Sequence, residues 1–430
     1  MIELSDGHRV RVGIIGAGNR GMGTYGAYVL RRPDLAQVVA IADPRADRLR
    51  VAGEQHGVAA EHLYDTWEAL LERESELDAV IIATPDRLHL RPALAAMTKP
   101  VSILLEKPIC PSEPEVRELL EAARRNRADI TVAHVLRYTP FFARIKELVD
   151  RGVIGTLQSI RHTEHIGYWH FAHSYVRGNW RRLDQASPMI LAKSCHDFDI
   201  LLWLTGNTCI ELNSYGDLGH FTAANAPEGA ADRCDQGCKV ERNCPYSAQR
   251  IYLEKFPPGH GWPHDVVSMD TSPQGIARAL HEGPYGRCVY RCDNDVMDHQ
   301  VVSMRFTNGI DATMNVSAFT RDPTRTVHLM GSHGEIVGDF LGNEITLSDF
   351  RINDVRTSQL TLSSEGYHGG GDDGLMADFI GRVQDRLRRG DMSVPLTSLE
   401  ESVGSHLMAF ASETSRSTGR SVVLNAALPG

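Results

Sequence analysis

Lysine is scarce in this chain. It occurs 6 times in 430 residues, against 39 arginines (45 basic residues less 6). A lysine inside a motif therefore draws notice. No apolar run approaches the roughly 20 residues that a helix needs to cross a bilayer, which argues against a membrane partner. Excess positive charge is missing too. The formal net charge is −10, so general nucleic-acid binding is excluded. The opening stretch, MIELSDGHRVRVGII, carries acidic residues where a secretory leader needs basic ones. A cytoplasmic location is expected. The eight cysteines are then expected as thiols or metal ligands rather than disulfides.

What is present suffices for packed domains. The apolar fraction is 42% and the charged fraction 23%, which does not describe a disordered chain. The length allows two domains. Strand and helix alternate through the first third. Residues 9–15 read as a buried parallel strand, with further strands at 37–42, 78–84, 101–106 and 130–135. Helices are expected from the glycine loop to about Leu30, and over 45–56, 66–73, 87–97 and 113–126. This is the pattern of a doubly wound sheet.

Between the first strand and its helix lie Gly16, Ala17, Gly18, Asn19, Arg20 and Gly21. The first glycine makes a tight turn, the second lets backbone approach a pyrophosphate, and the third packs helix on strand. Asp43 ends the next strand, where a carboxylate accepts hydrogen bonds from ribose hydroxyls and repels a 2′-phosphate. The predicted cofactor is therefore NAD. Arg45 and Arg48 follow closely enough to offset part of that repulsion.

Two more segments carry a family resemblance. One is Ala83-Thr84-Pro85-Asp86 with His89 three residues on. The other is Glu106-Lys107-Pro108. With the glycine loop and the closing stretch 406–424, they resemble the Gfo/Idh/MocA family, which includes glucose–fructose oxidoreductase and inositol dehydrogenases. The resemblance implies an α/β fold: an N-terminal Rossmann domain over 1–138, then an α+β domain over 139–430 with a large open, mostly antiparallel sheet. A cysteine-rich insertion at 219–295 falls outside it. Strand-like stretches at 156–166, 208–215, 298–306, 310–318 and 326–331, and helical ones at 373–388 and 398–416, fit that plan. The resemblance also implies a homo-oligomer, dimer or tetramer, through the open sheet. The expected cofactor residues are Gly16, Gly18, Asn19, Arg20, Gly21, Asp43, Arg45, Thr84, Pro85, His89, Glu106 and Lys107.

Hydride transfer from an alcohol needs a base for the hydroxyl proton and a cation near the developing oxyanion. The resemblance gives that role to Lys107. A second cluster, residues 192–199, resembles the family's substrate helix. His196 matches its histidine, but Ala192 stands where the acid one turn earlier belongs. Lys193 lies on nearly the same helical face as His196. The expected catalytic residues are Lys107, His196 and Lys193, in a pocket more positive than usual. Asp199 is read as structural.

Residues 162–182 are dense in His, Tyr, Trp and Arg. Aromatic faces stack on sugar rings and arginines grip anionic groups. Tyr168, His170, Trp180 and Arg181 are singled out there as substrate contacts. Tyr138, Lys193 and His196 are added to them.

Cys234, Cys238 and Cys244 are spaced C-x3-C-x5-C, and Cys288 and Cys292 form a second C-x3-C. Five cysteines in one insertion predict a structural zinc site, since four thiolates staple a loop that has little core. The expected ligands are Cys234, Cys238, Cys244 and Cys292, with Cys288 the alternative to Cys292. An iron–sulfur cluster and plain buried thiols are the other readings.

The expected function is NAD-dependent oxidoreduction at a secondary hydroxyl of a small carbohydrate: sugar, cyclitol or glycoside, anionic ones included. The alternative is a glycosidase that oxidises the ring transiently, eliminates the aglycone and re-reduces, with no net NADH. A non-catalytic nucleotide-binding scaffold is the third reading, and the intact Glu106-Lys107-Pro108 opposes it.

Overall fold

A computed structural model of the chain describes residues 9–424, apart from 258, 260, 362–366 and 391–392. Part of the stretch read for a leader, residues 1–8, lies outside the described residues. The chain divides into two compact units. One comprises Met1–Asp150, Phe198–Leu204 and Leu360–Leu407. The other comprises Arg151–Asp197, Thr205–Gln359 and Met408–Gly430.

The first unit is built on six parallel strands: β1 (Val10–Ile15), β2 (Ala36–Ala42), β3 (Leu63–Tyr64), β4 (Ala79–Ile82), β5 (Ser102–Leu105) and β6 (Ile130–Val132). Their order is β3-β2-β1-β4-β5-β6. Val10, Val12 and Ile14 face one way from β1, Ile15 the other, and all are buried. That is why these strands read as continuous apolar runs rather than alternating ones. The order reverses between β1 and β4, where open α/β sheets leave a crevice for ligands. The sequence reading missed β3, because two residues are too short to show a period. Helix Gly371–Arg389 covers the same core with Leu375, Met376, Phe379, Ile380 and Val383, one apolar stripe at helical spacing.

The helix after the glycine loop differs from expectation. Asn19–Gly26 is a π-helix, and regular α-helix runs only from Ala27 to Arg31. Gly21, Gly23 and Gly26 remove the side chains that normally fix the first turns, and a wider coil forms.

The second unit holds a nine-stranded sheet in the order β14-β13-β12-β11-β7-β10-β9-β8-β15. The strands are β7 (Leu157–His165), β8 (Cys209–Asp217), β9 (His299–Phe306), β10 (Asp311–Ser317), β11 (Thr324–Gly331), β12 (Gly334–Asp339), β13 (Glu344–Asp349), β14 (Asp354–Gln359) and β15 (Val422–Val423). Only β7 and β10 pair in parallel; the other neighbours run antiparallel. The last strands before residue 360 were not anticipated. β14 is almost wholly exposed, so it shows no apolar alternation to read. β7 sits mid-sheet and turns Ile160, His162 and Glu164 inward.

Candidate active site

The glycine loop is shaped by close approaches. Gly16 has φ +101°, and a Cβ there would lie 2.6 Å from the Ala83 carbonyl oxygen. A Cβ at Gly21 would sit 1.9 Å from the Gly16 carbonyl oxygen and 3.3 Å from Ile14. Gly18 differs: the nearest atom to its Cβ position is the Arg48 guanidinium, at 3.6 Å. The middle glycine thus borders open space beside a cation. Buried Asp43 at the end of β2 accepts from the Ala17 N–H at 2.8 Å and the Arg45 N–H at 2.9 Å. The carboxylate expected to meet the ribose therefore also anchors the loop. The Arg45 guanidinium is spent on Asp47, so Arg48 is the arginine nearer the cradle. Asn19 lies beside Gly23.

Arg20 sits in a buried network. It donates to Glu106, to the Tyr25 hydroxyl at 2.7 Å and to Asp372 at 2.8 Å. Tyr25 in turn donates to Glu106. Burial pushes the Glu106 carboxyl up, yet the charges of Arg20 and Lys107 outweigh it and hold Glu106 below the usual carboxylate range. The second Glu106 oxygen accepts the Lys107 N–H at 2.9 Å. Glu106 fixes the strand end from which the Lys107 side chain leaves. Lys107 is half-buried.

His89 ties two motifs together. Its ring nitrogens lie 2.7 Å from the Pro108 carbonyl oxygen and 2.8 Å from that of Thr84. The ring is buried, so His89 braces the loops after β4 and β5. Pro85 follows Thr84 in that loop, and the Thr84 hydroxyl is buried without a hydrogen-bond partner. His134, which the sequence reading passed over, is buried in the same unit. Burial, then the charges of Arg137 and Lys107, hold its pKa well below the usual value. Tyr138 gives its hydroxyl to Asp378 at 3.2 Å and approaches Thr397 at 3.3 Å. Asp199 receives both arms of Arg137 at 2.8 Å, a structural clasp.

In the second unit, the first half of helix Met189–Thr205 carries Lys193 and the buried His196. The Lys193 ammonium is 3.3 Å from Glu164 on β7. Arg325 on β11 bridges Glu164 at 2.6 Å and Asp197 at 2.8 Å, and His162 meets Asp197 at 2.7 Å. The extra positive charge expected from Lys193 is thus compensated by a carboxylate. Burial pushes Glu164 above the usual carboxylate range despite Arg325 and Lys193. Glu164 and Arg325 were missed in the sequence. The one signal was β7's inward alternation, which places a Glu where an apolar residue belongs.

Among the other substrate candidates, Arg181 forks onto Asp293 at 2.9 and 3.3 Å. Trp180 lies 6.4 Å from the Tyr175 ring, Tyr168 lies 6.3 Å from Tyr246, and His170 lies 4.9 Å from Trp262. Ring contacts through Tyr175, Phe171, Phe221 and Tyr246 link Trp180 to Tyr168, while His170 packs in a second cluster with Trp169 and Trp262.

The cysteine expectation needs correction. Among the described residues no three His, Cys, Asp or Glu side chains stand ready in metal-ligating geometry, and none of the eight cysteines is in a disulfide. Cys234, Cys238, Cys244 and Cys288 line one cavity of about 10 Å³. Cys292 is not among its walls; its thiol donates to the Cys288 carbonyl at 3.3 Å. Two backbone bonds explain the exchange: Cys234 N–H to the Gly286 carbonyl at 3.0 Å, and Cys288 N–H to that of Asp232 at 2.8 Å. They lay the two segments side by side in a register that favours Cys288.

A Rossmann strand order, a strand–glycine-loop–helix junction after β1 and a partly buried lysine just past the end of β5 are the marks of a nucleotide-dependent oxidoreductase. Family models agree over most of the chain. Residues 10–134 match the oxidoreductase family's NAD-binding Rossmann fold, and residues 146–353 match its C-terminal alpha/beta domain. The chain belongs to the Gfo/Idh/MocA oxidoreductase family. It is 27% identical over 340 residues to YteT of Bacillus subtilis (strain 168), named as an oxidoreductase, covering 74% of this chain and 76% of YteT. It is 29% identical over 225 residues to inositol 2-dehydrogenase 4 of Saccharopolyspora erythraea, covering 52% of this chain and 61% of that relative. In fold it resembles an inositol dehydrogenase homolog from Azotobacter vinelandii solved with NAD+, with a TM-score of 0.71 at 15% identity, over 98% of this chain and 99% of that one. Among the described residues no helix is long and apolar enough to cross a membrane.

Proposed function

We propose that the protein is an NAD-dependent dehydrogenase acting on a secondary hydroxyl of a neutral sugar or cyclitol. The observation that carries this reading is the Glu106–Lys107 strand end in the unit that bears the glycine loop. The residues fit the cofactor. Gly18 leaves an open cradle, Asp43 offers a carboxylate at the ribose position of such folds, and the Thr84 hydroxyl is a buried polar group in need of a partner. Gly16, Gly18, Gly21, Asp43, Thr84 and Lys107 would hold NAD, which supplies the hydride acceptor. Asn19, Arg20, Arg45, Pro85, His89 and Glu106 shape that cradle.

Lys107 takes the proton of the substrate hydroxyl through its Nζ, and as an ammonium it then steadies the carbonyl oxygen. His196 and Lys193 orient the substrate oxygens, with Glu164 supplying the carboxylate that Ala192 cannot. Because Glu164 compensates Lys193 and Asp293 compensates Arg181, a neutral polyol is preferred over an anionic one. The inositol dehydrogenase relative supports this substrate class. Tyr215, Val301 and Val337 share the exposed face of the nine-stranded sheet, and that face is read as the contact of a homodimer or homotetramer, open to measurement by light scattering.

The test combines NAD with a panel of cyclitols, sugars and aryl glycosides, following NADH absorbance and aglycone release together. NADH accumulation with a free polyol is expected, and Lys107→Met should lower kcat by about 100- to 10,000-fold while NAD still binds. Aglycone release without NADH would move the protein to the redox-neutral glycosidase reading. Undiminished turnover in the Lys107 variant would remove the catalytic assignment.

A further inference from the structure

The cysteine insertion gathers more than the reaction uses. Cys234, Cys238 and Cys244 come from one stretch of loop and short turns, and Cys288 from another. All four cysteines line one cavity of about 10 Å³. Such a volume holds roughly one water-sized body. It cannot hold an iron–sulfur cube.

The fifth wall of the cavity decides its chemistry. Arg177 is 1% exposed and lines the same cavity. It donates to the carbonyls of Arg287 and Tyr246 at 2.7 Å each, and to the Cys234 sulfur at 3.8 Å. Its Nη1 is buried without a hydrogen-bond partner, and the Tyr252 phenol lies close to the guanidinium. Among the described residues no carboxylate stands within ion-pair distance of it. A buried guanidinium without a counter-charge is costly. Carbonyl dipoles offset part of that; an anion would offset the rest. Four neutral thiols supply no anion, and neither would two disulfides. Four thiolates around one divalent metal carry a net charge of −2, and with Arg177 the buried assembly falls to −1. The Ala248 N–H, which points at the Cys234 sulfur from 3.3 Å, is a second donor of the kind that steadies a metal-bound thiolate.

We infer that Cys234, Cys238, Cys244 and Cys288 bind one tetrahedral divalent metal of zinc chemistry, with Arg177 as its charge partner. Binding forms four metal–sulfur bonds and releases the four thiol protons to water, with no change of oxidation state. The thiols swing inward about their side-chain bonds, because thiolates on one ion stand closer together than neutral S–H groups do. The ion joins the 234–244 loop to the segment at 288, beside the buried rings of Tyr246 and Tyr290. Cys292 takes no part.

The experiment uses the full chain, purified without chelator from zinc-replete cells. Elemental analysis should find about one zinc per chain. Cys288→Ser and Cys238→Ser should reduce it to background, and Cys292→Ser should leave it unchanged. Cobalt(II) exchanged into the wild-type chain should give sulfur-to-metal charge-transfer and tetrahedral bands, a readout that does not depend on any variant folding. Absence of stoichiometric metal overturns the inference. So does retention in Cys288→Ser with loss in Cys292→Ser, an iron–sulfur spectrum, or an intact mass showing disulfides among these cysteines.

Discussion

Glu164 stands 3.3 Å from the Lys193 ammonium and 2.6 Å from the Arg325 guanidinium. One buried carboxylate thus serves two cations, one on the helix that also carries His196 and one on β11. Its removal should be felt in substrate handling before it is felt in cofactor binding. Glu164→Gln keeps the shape and drops the charge. A misplaced charged partner costs about 1–3 kcal/mol, so kcat/KM for the polyol should fall about 5- to 150-fold. NAD affinity should be unchanged. Stopped-flow and steady-state kinetics separate the two, and an unaltered KM and kcat would show Glu164 to be structural only.

Asp43 has two tasks, and a substitution should reveal both. Asp43→Asn retains an acceptor for the Ala17 N–H but loses the charge-assisted bond to a ribose hydroxyl. Hydrogen bonds to charged groups are worth about 1.5–3 kcal/mol, so NAD should bind about 10- to 100-fold more weakly. NADP should lose less, because Arg48 faces the same cradle and the repelling carboxylate is gone. Calorimetric titration of both nucleotides checks it. Equal losses for NAD and NADP would remove Asp43 as the discriminating residue.

Gly21 tolerates no side chain. A Cβ 1.9 Å from the Gly16 carbonyl oxygen must displace the loop, because the clash is with backbone rather than with a movable side chain. Gly21→Ala should destabilise the unit by about 1–3 kcal/mol and abolish measurable NAD protection in thermal shift. Gly57→Ala is the control: nothing lies within 4 Å of its Cβ position, and its φ of +64° makes it strained on its own. Its loss should appear in stability alone, with NAD protection kept.

His406 sets an acid limit on stability. Its Nε2 accepts the Ile109 N–H at 2.8 Å, and its Nδ1 donates to the Ser402 carbonyl at 3.0 Å, so the fold needs the neutral ring. Burial, then the charge of nearby His134, push its pKa down to about 3. Between its ordinary value of about 6.5 and about 3, the unfolded chain binds a proton that the folded chain does not. Stability is therefore complete above pH 6.5 and declines as pH falls through that window, by up to about 1.4 kcal/mol per pH unit from this group. His406→Gln should flatten the dependence of Tm on pH between about 4 and 6.5. An unchanged slope would assign the acid sensitivity to other groups.

The sequence by itself determined the parts whose residues are contiguous. Gly16 to Gly21 between a strand and a helix, with Asp43 at the next strand end, spells out a nucleotide cradle because turn geometry and backbone approach are local properties. Glu106-Lys107-Pro108 is legible for the same reason, as is the apolar stripe of Leu375 to Val383. Only the tertiary structure decided the partners. Nothing along the chain pairs Arg20 with Asp372, 352 positions away, or with Glu106. Lys193 looked unopposed until β7 brought Glu164 beside it. Cys292 looked the equal of Cys288 until two backbone hydrogen bonds fixed the register of their segment against Cys234. Spacing along a chain carries turn, period and motif. Which charges cancel and which thiols meet depends on the register of distant segments, and that is set by packing.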